Sequence, residues 1–260
     1  MSLEKSVSPD NSFALPILRL EQVNLEATIG ADLLLRDISF SISAGEIIAI
    51  VGASGAGKTS LLRLLNGLIS PSQGKIYLSG RSLDNYPAVE LRRRLVLAPQ
   101  EPKLLGMKVI DALAYPLRLQ QRSESEILTQ VNLWLDLLHI SAELLHKTEL
   151  QLSLGQRQLV AIARALIMEP QILMLDEPTS ALDVATAANL IAVLKKLNQE
   201  QNLTILIVNH QLEQMEKLCD RLLLLNRGSL LEDLPATPQN WARVSQKIFE
   251  LRSADAEEWL

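Results

Sequence analysis

The feature that most constrains the fold of this chain is a glycine-rich segment between a β-branched run and a helical stretch. Its residues are Gly52, Ala53, Ser54, Gly55, Ala56, Gly57, Lys58 and Thr59. They fit the pattern G-x-x-x-x-G-K-[ST], in which small residues let backbone N–H groups curl around phosphate oxygens. The lysine of this pattern reaches the β- and γ-phosphates, and the hydroxyl at its last position ligates Mg²⁺. We therefore predict a phosphate-binding loop over 52–59, continued by Ser60 at the start of a helix.

The apolar segments around this loop predict an α/β fold. The runs at 46–51, 172–175 and 204–208 lack alternation, as expected for parallel strands that are covered on both faces. Helical stretches separate them, which is typical of parallel strands joined by helical crossovers. Residues 17–42 and 75–79 alternate between apolar and polar side chains, which predicts an antiparallel β subdomain beside a mostly parallel core sheet.

Residues 108–150 interrupt this α/β pattern. Apolar side chains recur there at spacings of three and four, which indicates amphipathic helices. They include Leu113, Leu117, Leu128, Val131, Trp134, Leu135 and Leu138. We predict an α-helical insert between the two halves of the core.

Composition excludes several classes of protein. The 260 residues carry a formal net charge of -5, which argues against sequence-independent binding of nucleic acid. The single cysteine, Cys219, excludes an intramolecular disulfide framework and a cysteine-cluster metal site. No apolar run reaches the roughly 18 residues that a membrane span needs. The first residues, MSLEKSVSPDNS, show no signal or transit pattern.

Two carboxylates follow the second buried run. Asp176 and Glu177 come directly after Ile172-Leu173-Met174-Leu175, at the edge where open α/β sheets bind ligands. We predict that Asp176 holds Mg²⁺ through water, as the acidic partner of a phosphate loop does. Glu177 is then placed to polarise an attacking water as a general base. Because a phosphate loop alone does not separate kinases, GTPases and motor ATPases, further motifs are needed to choose among them.

The segment Leu152-Ser153-Leu154-Gly155-Gln156 resembles LSGGQ, the signature of the ATP-binding cassette (ABC) ATPases. The resemblance runs from about residue 18 to residue 228, and the matched pieces follow the order and spacing of the family. They are the phosphate loop, Gln100 in Ala98-Pro99-Gln100-Glu101, the signature, 172–177, Ser180-Ala181-Leu182-Asp183, and His210 in Val208-Asn209-His210. This resemblance implies a P-loop NTPase cassette that binds ATP and Mg²⁺.

The resemblance also implies a role for each matched residue. Gln100 is expected to contact Mg²⁺ and the attacking water, and His210 to hydrogen-bond the γ-phosphate. Asp183 resembles the aspartate that links two sites across a dimer. The signature residues expected to cap the γ-phosphate held by a second copy of the chain are Ser153, Gly155 and Gln156. The predicted catalytic residues are Glu177, His210 and Gln100, and the predicted metal ligands are Thr59 and Gln100.

Two parts of the sequence depart from the family pattern. Leu154 replaces the first signature glycine and reduces local backbone freedom, whereas Gly155 remains, so we expect capping to survive. The family also places an aromatic residue near 25–28 to stack on adenine, where this chain has Leu25-Glu26-Ala27-Thr28. Since stacking contributes roughly 1–3 kcal/mol per base, we expect a relaxed base preference or a modest affinity for ATP.

The predicted domain organisation has three parts. Residues 1–12 form a loose tail, 13–235 the ABC ATPase domain with its helical subdomain at about 101–158, and 236–260 a short C-terminal helical tail. In this family the helical subdomain presents a groove to a membrane subunit. We therefore expect Leu104-Leu105-Gly106-Met107 to line a contact with a membrane-spanning permease subunit.

These observations predict an ATP-hydrolysing subunit of an ABC transporter. Two copies are expected to close head-to-tail around two ATP molecules, peripherally on the cytoplasmic face of the cell membrane, with no nucleic-acid partner. The alternative is a soluble ABC ATPase of iron–sulfur cluster assembly, whereas a P-loop small-molecule kinase would not need the signature or His210. Within the family, the chain is similar to the small cassette subunits of iron or metal export systems. This similarity depends on its compact length and on Tyr115-Pro116-Leu117-Arg118 in the insert.

Overall fold

The computed structural model describes residues 15–27 and 33–257 of the chain. These residues form ten strands and eight α-helices. The strands are β1 (Leu18–Glu26), β2 (Leu33–Ile42), β3 (Ile47–Val51), β4 (Gln73–Leu78), β5 (Arg81–Ser82), β6 (Leu95–Ala98), β7 (Ile172–Asp176), β8 (Thr204–Val208), β9 (Arg221–Asn226) and β10 (Ser229–Pro235). The helices are α1 (Lys58–Leu65), α2 (Ala88–Arg94), α3 (Val109–Leu119), α4 (Glu124–Leu137), α5 (Leu154–Leu166), α6 (Val184–Gln201), α7 (Leu212–Glu216) and α8 (Pro238–Glu257).

The larger sheet carries the candidate site. Its strand order is β10-β9-β3-β8-β7-β6, in which β10 pairs antiparallel with β9 and every other pair is parallel. All residues of β3, β7 and β8 are buried. The two faces of β3 pack into different apolar clusters, one with residues of α5 and α6 and the other with residues of α1. The predicted α/β fold with a mostly parallel core sheet is confirmed.

The register of this sheet brings three strand ends together. Ile50 of β3 and Asp176 of β7 both pair with Val208 of β8, so these strands end at one edge of the sheet. The chain after each strand therefore enters the same region, and those segments are 52–57, Glu177 onward and Asn209 onward. This placement follows from the parallel order, because parallel strands present their carboxyl ends on the same side.

The smaller sheet is antiparallel, as predicted, with the order β2-β1-β4-β5. Leu18, Leu20, Val23 and Leu25 of β1 are buried. The alternation shifts by one residue after Leu20, where Gln22 has a positive φ of 48° and the register with β2 is irregular. Such a bulge re-aims the following side chains, and it lets both halves of β1 pack onto the same core.

The insert is helical, as the apolar spacing predicts. Helices α3 and α4 pack against each other, and α3 also packs against α5. Ser123 is the N-cap residue of α4 and forms a capping box with Glu126. This pair of hydrogen bonds explains where the helix begins. Short 3-10 turns at 142–144 and 149–151 then lead to α5.

The C-terminal helix α8 is longer than the amphipathic stretch that the sequence indicates near 241–251. Its residues Trp241, Val244 and Ile248 are buried in the same apolar cluster as one face of the larger sheet. The predicted tail at 1–12 lies outside the described residues, and the domain boundaries stay predictions. None of the helices described in 15–27 and 33–257 combines the length and apolar character needed to cross a membrane.

Candidate functional site

The segment after β3 forms a tight loop whose backbone requires glycine. Gly52, Gly55 and Gly57 have φ values of 152°, 77° and 97°. A Cβ atom at Gly52 would lie 2.2 Å from the carbonyl oxygen of Leu225, and one at Gly57 would lie 2.9 Å from that of Leu34. Any other residue at Gly52 or Gly57 would be strained both by φ and by close backbone contact, whereas at Gly55, where a Cβ atom would meet nothing within 4 Å, the strain comes from φ alone. The predicted phosphate loop therefore has a local structural reason for its pattern.

Lys58 lies inside this loop. The residue is 7% exposed, and its ammonium group donates to the carbonyl oxygens of Gly52 at 2.9 Å and Ala53 at 2.7 Å. Burial lowers the pKa of Lys58, while the nearby carboxylates of Glu177 and Asp176 act in the opposite direction. The chain thus concentrates a positive charge beneath the loop, where a phosphate group could bind.

Asp176 and Thr59 form the acidic side of the same region. The Thr59 hydroxyl donates to Asp176 Oδ2 at 2.8 Å. Asp176 is 3% exposed, and its Oδ1 has no hydrogen-bond partner among the described residues. Burial raises the pKa of the Asp176 carboxyl, and the neighbouring charge of Glu177 adds to that effect. A hydroxyl beside a buried carboxylate with one unpaired oxygen suits Mg²⁺, which prefers oxygen ligands and keeps several waters.

Glu177 and His210 meet at the ends of neighbouring strands. His210 Nε2 lies 2.8 Å from Glu177 Oε1. The Glu177 side chain is largely buried, whereas the His210 side chain is 39% exposed. The main chain of Glu177 adopts a positive φ of 51°, which is uncommon for a residue other than glycine. The two side chains predicted to act on water and on the γ-phosphate are therefore in direct contact.

One cleft of about 700 Å³ unites most of the predicted site. The predicted residues that line it are Ser54, Gly55, Ala56, Gly57, Lys58, Thr59, Ser60, Gln100, Glu177 and His210. Asp176 reaches the cleft through its bond to Thr59, while Gly52 and Ala53 form the loop backbone around Lys58. Motifs that lie more than a hundred residues apart in the sequence are thus assembled at one edge of the larger sheet.

Further residues of this cleft were not predicted from the sequence. They are Leu33, Leu34, Arg36, Arg227 and Gly228. The first three belong to β2, which the antiparallel sheet folds over the phosphate loop. Leu25 is buried in the core of that sheet and Glu26 is exposed beside it. Thr28 lies outside the described residues, so the expected adenine contact at 25–28 stays a prediction.

The signature lies at a second cavity of about 350 Å³, lined by Ser153, Gly155, Gln156 and Asp183 among others. None of the described residues that line this cavity also lines the first cleft. Ser153 caps α5 by accepting from the Gln156 amide at 3.2 Å, and Gln156 accepts from the Ser153 amide at 3.0 Å. The structure therefore keeps the signature and the phosphate loop of one chain at different surfaces.

Gly155, Leu154 and Asp183 each have a local structural role at this second cavity. A Cβ atom at Gly155 would lie 2.5 Å from the carbonyl oxygen of Ala181, so glycine allows α5 to approach the loop before α6. Leu154 is helical and points outward, with 52% of its surface exposed. Asp183 caps α6 by accepting from the amide and hydroxyl of Thr186, and the hydroxyl bond is the main cause of its lowered pKa.

A buried polar network supports the strand ends and was not predicted from the sequence. Asn209 donates to the Thr179 hydroxyl at 2.8 Å, and both side chains are buried. Gln158 of α5 donates to the Glu177 carbonyl at 2.6 Å. The available signal was a polar residue on an otherwise apolar helix face, since Gln158 is in phase with Ile162 and Ala165.

The fold and this arrangement define a class of protein, the P-loop nucleotide-binding proteins that carry a helical insert and a separate signature surface. The family model described as ABC transporter matches residues 35–180, and the chain belongs to this family. The predicted family is therefore confirmed.

Curated proteins that are similar to this chain are named as ATP-binding proteins of methionine import. The methionine import ATP-binding protein MetN of Cupriavidus metallidurans is 40% identical over 202 residues, which are 76% of this chain and 58% of the relative. The protein of the same name from Brucella abortus is 37% identical over 245 residues, which are 91% of this chain and 65% of the relative. The chain thus spans less than two-thirds of the length of these relatives.

Solved structures share the fold over nearly their whole length. A dimeric post-hydrolysis state of the ATP-binding cassette MJ0796, bound to ADP and Pi, has a TM-score of 0.78 and 27% identity over 85% of this chain and 99% of that chain. The cbiO1 subunit from Clostridium perfringens, part of the ABC transporter complex cbiONQ, has a TM-score of 0.76 and 28% identity over 94% and 98%. These comparisons give the iron–sulfur alternative no support, and the narrower similarity to metal exporters stays a prediction.

Proposed function

We propose that the chain is the ATP-hydrolysing subunit of an ABC transporter. The observation that carries the proposal is the assembly of the phosphate loop, the Thr59–Asp176 pair and the Glu177–His210 pair around one cleft. Each pair supplies a chemical group that hydrolysis of a nucleoside triphosphate needs. Family membership supports the choice of ATP, and the ADP-bound cassette MJ0796 shares this fold.

The phosphate loop and helix α1 bind the nucleotide. The backbone N–H groups of 52–59 and the N-terminus of α1 attract phosphate oxygens, and the ammonium group of Lys58 adds a full positive charge. Leu34 and Arg36 of β2 stand at the same cleft and offer apolar surface and a cation to the rest of the nucleotide. These contacts position the terminal phosphate toward Glu177 and His210.

Glu177 is the general base of the proposed reaction. Its carboxylate accepts a proton from the attacking water. His210 Nε2 lies against Oε1 without nucleotide, and we expect it to turn to the terminal phosphate when ATP is bound. Thr59, Asp176 and Gln100 would hold Mg²⁺, and Asp176 would do so through water, since its Oδ1 accepts no hydrogen bond within the part of the chain that the structure describes. When bound, Mg²⁺ neutralises charge on the phosphate oxygens of the leaving group.

The separate signature surface supports a head-to-tail dimer. Because the described signature residues line a different cavity from the phosphate loop, one chain does not enclose its own nucleotide. A second copy would bring Ser153 and the N-terminus of its α5 to the open side of the cleft. ATP binding then closes the pair and hydrolysis reopens it. The cassette MJ0796, which shares this fold, is dimeric, and this supports an assembly of two copies.

The second partner is a membrane-spanning permease, which would hold the chain peripherally at the cytoplasmic face of the cell membrane. Leu105 supports this contact because it is 68% exposed on the helical insert, beside exposed Gly106 and half-buried Met107. Leu104 is fully buried and belongs to the core instead, so the contact surface is narrower than the sequence suggests. The names of the curated relatives make import the favoured direction and methionine the first substrate to test.

The proposal is tested by Glu177→Gln, which keeps the size of the side chain and removes the base. ATP binding should persist, while phosphate release in a steady-state assay should fall by roughly 10²–10⁴-fold, as for a lost general base. Glu216→Gln, the same change at an exposed carboxylate of α7, is the matched control and should leave turnover unchanged. Turnover of Glu177→Gln near the wild-type value would overturn the assignment.

A further inference from the structure

Gln158 is a polar residue in an apolar setting. It lies on α5, just over one turn beyond Ser153, and is 3% exposed. Its neighbours in phase along the helix, Ile162 and Ala165, are buried in the apolar core. A buried amide is unfavourable unless its donor and acceptor are both used, so its hydrogen bonds indicate why it is there.

Both ends of the amide contact the chain around Glu177. The Nε2 atom donates to the Glu177 carbonyl oxygen at 2.6 Å. The Oε1 atom accepts from the Ala181 amide at 3.3 Å. The Ser180 hydroxyl donates to the same Glu177 carbonyl at 3.0 Å. One side chain of α5 therefore bridges the two ends of the turn between Glu177 and Ala181.

This bridge holds a residue whose backbone is unusual. Glu177 has a φ of 51°, and its amide donates to the Val208 carbonyl of β8 at 2.8 Å. The amide is thus fixed from the sheet and the carbonyl is fixed from α5. With both peptide groups held, the side chain is directed to His210 Nε2 at 2.8 Å. Left-handed backbone at a non-glycine residue persists only where its surroundings determine it.

We propose that Gln158 is a positioning residue for hydrolysis, which acts by fixing the Glu177 main chain so that the carboxylate points at the attacking water. The inference rests on the proposed function and extends it to a residue outside the cleft. Gln158 also joins the helix that begins at the signature to the base of the same chain. Nucleotide binding does not depend on Gln158, because it contacts neither the phosphate loop nor Lys58 in any described hydrogen bond.

The first test is Gln158→Met, which keeps the length of the side chain and removes both hydrogen bonds. We expect kcat for ATP to fall by roughly 10- to 100-fold, as for a small misplacement of a reacting group, with the ATP KM within about threefold of wild type. The matched control is Asn198→Leu, which removes an amide that donates to the carbonyls of Gly45 and Leu203 at the opposite ends of the strands. The control should lose stability but keep kcat.

The second test places Gln158→Met in the Glu177→Gln background. If Gln158 acts through the carboxylate, the double variant should be no slower than Glu177→Gln alone. An equal fractional loss in both backgrounds, or a kcat of Gln158→Met like that of the control, would overturn the inference while leaving the proposed function intact. Wild-type turnover of Glu177→Gln would overturn the role of Glu177 as the base and this inference with it, whereas only an absence of ATP turnover by the unmodified chain would overturn the proposed function itself.

Gln158→Glu keeps the test decisive if the methionine variant does not fold. The new side chain is isosteric, and only its protonated form can donate to the Glu177 carbonyl. Burial raises the pKa of a glutamic acid at such a position, so kcat relative to wild type should fall as pH rises through that titration. A pH–rate profile that is parallel to the wild-type profile would contradict the positioning role.

Discussion

At the scale of single residues, the cleft concentrates ionisable groups that the fold removes from water. Lys58 and Asp176 are both buried. Burial lowers the pKa of Lys58 and raises the pKa of Asp176, and both shifts favour the neutral form of the group. Ionisable groups in a cleft whose pKa values are shifted by burial are typical of functional sites. Under the proposed function these charges serve a bound phosphate and metal, so their presence should lower the stability of the protein without ligand.

Asp176→Asn tests this reasoning. A raised pKa means that the folded state binds the proton of Asp176 more tightly than the unfolded state does. Its contribution to stability is therefore present below the unfolded pKa of about 3.9 and lost as pH rises through the folded pKa. Asparagine resembles the protonated form at every pH, so at pH 7 the ligand-free variant should be more stable by about 1 kcal/mol, or roughly 2–4 °C in Tm.

The measurement is a thermal melt of both proteins across pH, without nucleotide. The advantage of Asp176→Asn should shrink as pH falls toward about 4. Asp183→Asn is the opposite control, since hydrogen bonds from Thr186 lower the pKa of the Asp183 carboxyl and the charged form is the favoured one. An Asp176→Asn protein that melts below wild type at pH 7 would show that burial is not the dominant effect.

At the scale of elements, the sequence predicts those helices, strands and loops that local sequence determines. It does not predict the contacts that depend on how these elements pack together. The strand, loop and helix around 52–59 follow from local rules of glycine conformation and apolar runs, and the structure places them there. The contact between Gln158 and Glu177 joins residues 19 apart and depends on how α5 meets the end of β7. The same holds for Leu34 and Arg36, which reach the cleft only because β2 folds over the loop.

Helix α8 shows how packing extends an element. Only a short amphipathic stretch is evident from the sequence, yet the helix runs over Pro238–Glu257 and contributes Trp241 to the main core. Trp241→Ala should therefore destabilise the whole α/β core by roughly 3–5 kcal/mol. Phe249→Ala on the same helix is the control, because Phe249 is 72% exposed. Chemical denaturation curves of equal midpoint for the two variants would contradict a core role for α8.

At the scale of the whole molecule, one chain presents two separate surfaces. The first cleft has the phosphate loop and Glu177, and the second cavity has the signature and Asp183. A head-to-tail dimer would join the phosphate loop of one copy to the signature of the other. A variant of the signature should therefore damage the site of the partner and leave the nucleotide contacts of its own chain unchanged.

Ser153→Asp is the cleanest change for testing this account. Aspartate caps a helix as well as serine does, so α5 should still form while a negative charge repels the partner's nucleotide. Ser153→Asn retains the cap without the charge and is the neutral control. A carboxylate at Gly155 would be less informative, because a Cβ atom there already lies 2.5 Å from the Ala181 carbonyl oxygen.

The most direct test mixes Ser153→Asp with Lys58→Ala and measures ATP turnover of the mixture against each variant alone. Each variant alone should be nearly inactive, since both composite sites of its dimer carry a lesion. In a mixed head-to-tail dimer one site collects both lesions and the other is intact, so we predict that turnover returns to a substantial fraction of one wild-type site. Turnover of the mixture no greater than the sum of the separate variants would contradict the head-to-tail account.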